Sequence, residues 1–223
     1  LQMNSEQNKV HILHEGYSHN DTDNPTAMRA NCTCTLIRTH RGRNIIVDTM
    51  TAWDGQHITD ALKTHDLQPS DIDIVVCTHG HADHIGCNYL FTSAEWHFVG
   101  ACVHKRDKFL EWDFTDTPFL LDGEDVQVVA TPGHTLSCVS VLIRNTNLGH
   151  VIGVCGDLFE RMEDIEDSKI WKEAGSENLQ VQQKYRLIMA ERCTYIVPGH
   201  GEGFKMTEAK RVKLWQDTQD NGA

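Results

Sequence analysis

Short β-branched runs recur along the chain, each closed by a turn rich in Gly, Pro or Asn. They predict strands over 10–15, 32–38, 44–49, 72–78, 95–100, 126–130, 138–144, 151–155 and 194–197. Residues His40-Arg41-Gly42-Arg43 suit a hairpin connection between the second and third of these. Helical spacing is confined to a few stretches. Ile58, Ala61, Leu62 and His65 fall at i, i+3, i+4 and i+7 between Gly55 and Pro69. Val181, Tyr185, Ile188 and Met189 form a second stripe, and Thr207-Glu208 opens a third that carries Val212 and Trp215. A short helix is expected over 86–91. The segment 16–30 holds Asp21, Asp23, Asn24 and Pro25 and reads as a polar loop; 101–119 is mixed and reads as an irregular rim. Hairpins interleaved with helices bury their apolar faces economically as two packed sheets with helices outside. With only 5 Pro and no Ser/Gly tract, the 223 residues read as one compact domain.

Charge and composition narrow the partners. A formal charge of -12 favours solubility and disfavours broad binding to polyanions, although bound divalent ions would invert the field locally. No run approaches the roughly 18 apolar residues of a membrane span, so no membrane partner is expected. The 8 cysteines are scattered, without C-x-x-C spacing, and several lie in strand-like runs. They read as free thiols of a reducing cytosolic or nuclear compartment. Oligomeric state is left open, a homodimer included.

The chemistry concentrates at the end of the fourth strand. His79-Gly80-His81-Ala82-Asp83-His84 packs three imidazoles and a carboxylate into six residues. His79 and His81, two apart, can converge from a loop, whereas Asp83 and His84 point about 100° apart if helical and suit a second position. Four strand runs end at a metal-capable residue: His79, His134, Asp157 and His200. His79, His81 and His134 then make a first site with room for water. Asp83, His84 and His200 make a second, and Asp157 is available to bridge. Three nitrogens and an exchangeable position suit catalytic zinc; the mixed nitrogen and carboxylate set also admits iron or manganese. Two divalent ions and a metal-activated bridging hydroxide are the expected cofactors and nucleophile.

These residues resemble the metallo-β-lactamase superfamily. The signature H-x-H-x-D-H stands at 79–84, and the later ligand loops match Pro132-Gly133-His134-Thr135, Gly156-Asp157 and Pro198-Gly199-His200-Gly201. The resemblance implies an α/β fold, a four-layer αββα sandwich of two mixed β-sheets flanked by helices, with the metals at the shared rim. Two-metal chemistry gives Asp83 a role in orienting the nucleophile while it ligates the second ion, and the resemblance implies a role for Asp48 behind the ligands; the residues alone leave Asp48 equally able to cap a turn.

Departures within the resemblance sort the substrates. Asp157 stands where some penicillin-hydrolysing relatives carry a cysteine ligand. Leu136-Ser137-Cys138 follows the His134 loop where glyoxalase-II-like enzymes commonly place another histidine, and the chain after His200 is too short for their glutathione-binding helical domain. The spacing from His134 to His200 leaves no room for the domain inserted in large RNA-processing relatives. The stretches 155–161 and 195–201, the acidic run 163–167 and Trp171 are similar to a small, single-domain animal subgroup. That likeness implies an endoribonuclease cleaving the 3′ end of histone pre-mRNA, with single-stranded RNA as substrate. The alternatives are a small ester or thioester hydrolase and a metal-stabilised regulatory protein without turnover. His97 and His104 are candidates to approach phosphate, and basic groups at 104–108, Lys184 with Arg186, Lys205 and 210–213 read as solvated surface unless folding gathers them. The acidic run after Glu160 reads as a solvated loop.

Overall fold

The computed structural model describes residues 7–220. The N-terminal half supplies β1 (Lys9–His14), β2 (Tyr17–Asn20), β3 (Met28–Asn31), β4 (Cys34–Arg38), β5 (Asn44–Val47), α1 (Gly55–Lys63), β6 (Ile74–Cys77), α2 (Ala82–Ile85), β7 (Trp96–Val99), β8 (Cys102–Lys105) and β9 (Lys108–Leu110). The C-terminal half supplies β10 (Phe119–Leu120), β11 (Val126–Ala130), β12 (Val139–Arg144), β13 (Val151–Gly156), α3 (Lys169–Lys172), α4 (Leu179–Arg192), β14 (Tyr195–Pro198), β15 (Phe204–Lys205) and α5 (Glu208–Asp220).

The strands form a seven-stranded sheet ordered β1-β4-β5-β6-β7-β8-β9, a six-stranded sheet ordered β10-β11-β12-β13-β14-β15, and the separate pair β2-β3. Both large sheets are mixed: β5, β6 and β7 run parallel, as do β13 and β14. Parallel neighbours end at the same edge, so the loops after β5, β6, β13 and β14 can meet at the rim. Ligand sites of open parallel sheets lie beyond such carboxyl ends.

Alternation along the strands builds the layers. Ile45, Val47, Ile74, Val76 and Phe98 of the first sheet pack with Val126, Val128, Val141, Ile152 and Val197 of the second. The intervening residues face outward: Leu36, Ile46 and Val75 meet Ile58 and Leu62 of α1, and Leu142 and Cys155 meet Met189 and Ala190 of α4 and Leu214 of α5. The order is helix, sheet, sheet, helix, the mixed α/β arrangement expected. Burial on both faces explains why β6 reads as the uninterrupted run Ile74-Val75-Val76-Cys77.

Some expectations are corrected. Residues 17–31 are a β-hairpin rather than a loop, with Tyr17 opposite Asn31 and Asn20 opposite Met28. Its strands are largely exposed and lack apolar alternation, so the pattern is silent there. Its turn is held by Asp21, whose carboxylate accepts from the Asp23 and Asn24 amides. The irregular rim over 101–119 contains β8 and β9, which extend the first sheet. The helix expected over 86–91 is divided between α2 and a 3₁₀ turn at Asn88–Phe91. The acidic run is not wholly solvated, since Asp164 is buried, and its partner Arg186 is buried too rather than on a basic surface. All eight cysteines are free thiols, Cys102 alone exposed. No helix among the described residues is long and apolar enough to cross a membrane.

Candidate metal centre

β6 ends at Cys77, the chain bends through Thr78-His79 and is extended at His81 before α2 brings Asp83 and His84 to the same rim. That change of backbone divides the motif. His79 Nε2 lies 2.9 Å from His81 Nδ1, and His134 Nε2 lies 3.2 Å from the same nitrogen. Asp157 Oδ2 is 3.5 Å from His79 Nε2 and 3.3 Å from His134 Nε2. On the other side, His84 Nε2 is 3.9 Å from Asp83 Oδ2, which is 3.8 Å from His200 Nε2. Asp157 faces this group as well, with Oδ1 3.2 Å from His84 Nε2 and Oδ2 3.2 Å from His200 Nε2. In each cluster, His79-His81-His134-Asp157 and Asp83-His84-His200, the donor atoms all lie within 4.8 Å of one another. Every metal-capable residue named from the sequence is therefore gathered at this rim, and Asp157 stands between the two groups.

The backbone at the rim is specialised. Gly156 has φ +53, and a Cβ there would collide with the Thr78 side chain. A Cβ on Gly199 would run into Asp157 Oδ1, so glycine is what lets the His200 loop approach the carboxylate.

Two residues fix ring orientation from behind. Asp48, at φ +59 just after β5, accepts from the Thr78 amide at 2.7 Å and from Thr78 Oγ1 at 3.0 Å. Its Oδ2 also lies 3.0 Å from His84 Nδ1, which leaves Nε2 facing the centre. The Asn31 carbonyl accepts from His200 Nδ1 at 3.0 Å and directs His200 Nε2 inward in the same way. Asn31 and Thr78 escaped sequence reading, because a backbone carbonyl and a neighbouring hydroxyl carry no residue-type signal. Glu160, 3% exposed and within 4.8 Å of Asp157 and His200 donor atoms, was missed as well; its signal was a carboxylate directly following the apolar pair Leu158-Phe159.

The electrostatics are those of a crowded, dry site. Burial, reinforced by the charge of His84, drives the His79 pKa well below the usual imidazole value; burial also lowers His134, partly offset by Asp157. Burial opposes charge on His84 and His200 too, but Asp157 overrides it, raising His84 well above the ordinary value and His200 to about 9. Asp157 itself is held well below the carboxylate range despite burial, by His84, His200 and His79. Burial followed by the Asp157 charge pushes Glu160 up to about 9.

The donor chemistry fits metal ions. His84 Nε2 and Asp157 Oδ1, both buried and facing each other, have no hydrogen-bond partner, an arrangement costly to leave unsatisfied and satisfied by a cation. Imidazole nitrogens with carboxylate oxygens suit zinc and other first-row divalent ions.

A family model described as the metallo-beta-lactamase superfamily matches residues 28–200. The Xenopus laevis protein named metallo-beta-lactamase domain-containing protein 1 is 35% identical over 214 residues, covering 95% of this chain and 87% of that protein. A solved Thermotoga maritima structure aligns with TM-score 0.64 at 20% identity, over 89% of this chain and 99% of that one. AidC, a dizinc quorum-quenching lactonase solved with a product, aligns with TM-score 0.58 at 16% identity, over 78% and 73%.

Proposed function

The chain belongs to the metallo-β-lactamase superfamily, and on that footing we propose that it is a dinuclear metal-dependent hydrolase whose substrate is the phosphodiester backbone of single-stranded RNA. The observation that carries the dinuclear reading is Asp157, one buried carboxylate turned toward both donor clusters. His79, His81 and His134 would hold one ion, Asp83, His84 and His200 the other, and Asp157 would touch both. Bound there, two divalent ions would supply Lewis-acid charge and acidify a shared water. Asp83, with its side chain 20% exposed, is the carboxylate open to solvent and would orient that water toward the substrate. Asp48 and the Asn31 carbonyl hold the His84 and His200 rings in place.

Support for a phosphodiester comes from a cavity of about 920 Å³ lined by His97, His104, Lys105 and Arg106, together with Tyr89. In a chain of net charge -12, Lys105 and Arg106 give this cavity a local positive character. His97 is paired with Val75 of β6, the strand that leads to His79, so the cavity borders the same sheet that carries the first ligands. A strand seated at the centre could extend into it.

A second reading is hydrolysis of a small ester, lactone or thioester. It is favoured by exposed apolar side chains on loops and strands near the rim, Trp53, Met28 and Leu136 among them. Metal-reconstituted protein incubated separately with single-stranded RNA, a lactone and a thioester distinguishes the two. RNA scission that disappears in both His81→Ala and Asp157→Ala is expected. Intact RNA beside metal-dependent lactone or thioester turnover would overturn the RNA assignment in favour of the second reading.

A further inference from the structure

Glu160 follows β13 by four residues and is 3% exposed. A carboxyl oxygen of Glu160 lies within 4.8 Å of a donor atom on each of Asp157 and His200, a group that shares His200 with the Asp83-His84-His200 cluster and does not itself include Asp83 or His84. Its Oε1 has no hydrogen-bond partner. The side chain cannot readily turn to solvent, because its backbone is held from both directions. The Glu160 amide donates to Asp164 Oδ2 at 2.7 Å, and the Glu160 carbonyl accepts from the His200 amide at 2.8 Å. Asp164 is clamped in turn by Arg186, at 2.6 and 3.0 Å. Arg186 also donates to the Leu158 carbonyl at 2.8 Å. The fold thus secures a carboxyl group in a dry position while leaving one oxygen unsatisfied, which is costly for an idle side chain.

We propose that Glu160 is a protein ligand of the second ion, completing a half-site richer in carboxylate than the first. This rests on the reading of the two clusters as metal sites. The second ion would then face Asp83, Asp157 and Glu160 with two imidazoles, against three imidazoles and Asp157 at the first. Carboxylate oxygens favour harder cations such as manganese, and imidazoles favour zinc. The two positions therefore differ in metal preference, zinc at the first and manganese better tolerated at the second.

The test is metal binding rather than turnover. Metal-free protein and Glu160→Gln are equilibrated with Zn²⁺, with Mn²⁺ and with an equimolar mixture, and bound metal is measured by mass spectrometry and chelator competition. Wild type is expected to bind two ions and, from the mixture, to take up both metals. Glu160→Gln should keep one tight zinc, bind the second ion at least tenfold more weakly and lose most of its manganese. Circular dichroism of the metal-free proteins establishes that the variant folds. A second-ion affinity within twofold of wild type would overturn the ligand role. Wild type that binds no second ion would overturn the two-metal reading itself, a distinct result. Should the variant not fold, a manganese-loaded crystal of wild type decides: a Glu160 oxygen within about 2.2 Å of the second ion supports the proposal, and one beyond 3 Å refutes it.

Discussion

Replacing Asp48 with asparagine tests whether the hydrogen bonds behind the centre set its affinity. Asparagine is nearly isosteric and tolerates the left-handed backbone at φ +59, so the fold should persist. Its amide oxygen can still accept from the Thr78 amide, now at 2.7 Å from Oδ1. The amino group then falls where Oδ2 stands, 3.0 Å from both Thr78 Oγ1 and His84 Nδ1. There it donates where the carboxylate accepted. A neutral His84 would have to accept at Nδ1 and carry its proton on Nε2, the nitrogen facing Asp83 and Asp157, and a protonated nitrogen cannot bind a metal. Loss of such a supporting partner typically weakens metal affinity 10–100-fold, about 1.4–2.7 kcal/mol. The expected result for Asp48→Asn is therefore a loss of this size confined to the ion held by His84, with the ion held by His79, His81 and His134 little changed. Competition against a chelator, with metal counted per chain, measures it. Two ions bound with wild-type affinity, in a protein with a native circular dichroism spectrum, would refute the argument that Asp48 governs the His84 tautomer.

Arg186→Met leaves Asp164 buried without its cation. Breaking such a pair costs about 3–5 kcal/mol, or a Tm lower by about 6–20 °C in a chain of this size. Asp164→Leu combined with Arg186→Met should recover much of that in urea unfolding, and a single variant within 1 kcal/mol of wild type would contradict the assignment. His97 is held below the ordinary imidazole pKa, first by burial and then by His104, while its Nε2 bonds the Phe91 carbonyl. The unfolded chain consequently binds more protons there, so the His97 contribution is complete above about pH 6.5 and is lost as pH falls below it. His97→Asn should reduce the decline in stability between about pH 7 and 5 relative to wild type; parallel pH profiles for the two proteins would show that His97 has no such role.

Local chemistry was legible wherever a residue's type and its neighbours in the chain sufficed. The run at 79–84 announces metal binding because so many imidazoles and carboxylates in one turn serve no packing purpose, and His134, Asp157 and His200 stand out as polar endings of apolar strands. Parallel pairing of β5, β6 and β7, and of β13 and β14, together with the two antiparallel steps from β11 through β12 to β13, then explains why the strands of each sheet that lead to these residues end at one edge. Hydrophobic periodicity likewise located the core strands and the three longest helices, since their burial is imposed by alternation along the chain. It could not find the hairpin over 17–31, whose exposed strands are held by backbone pairing and turn chemistry, although Asn31 at its end supports His200. Nor could it distinguish acids and bases on the surface from Asp164 and Arg186, buried where α4 meets the loop after β13. The same packing brings Glu160 beside Asp157 and His200. Residue type and spacing determined that this chain carries a metal-capable centre; burial and long-range contact, which come only from the assembled layers, decided which carboxylates surround it and which nitrogen each histidine presents.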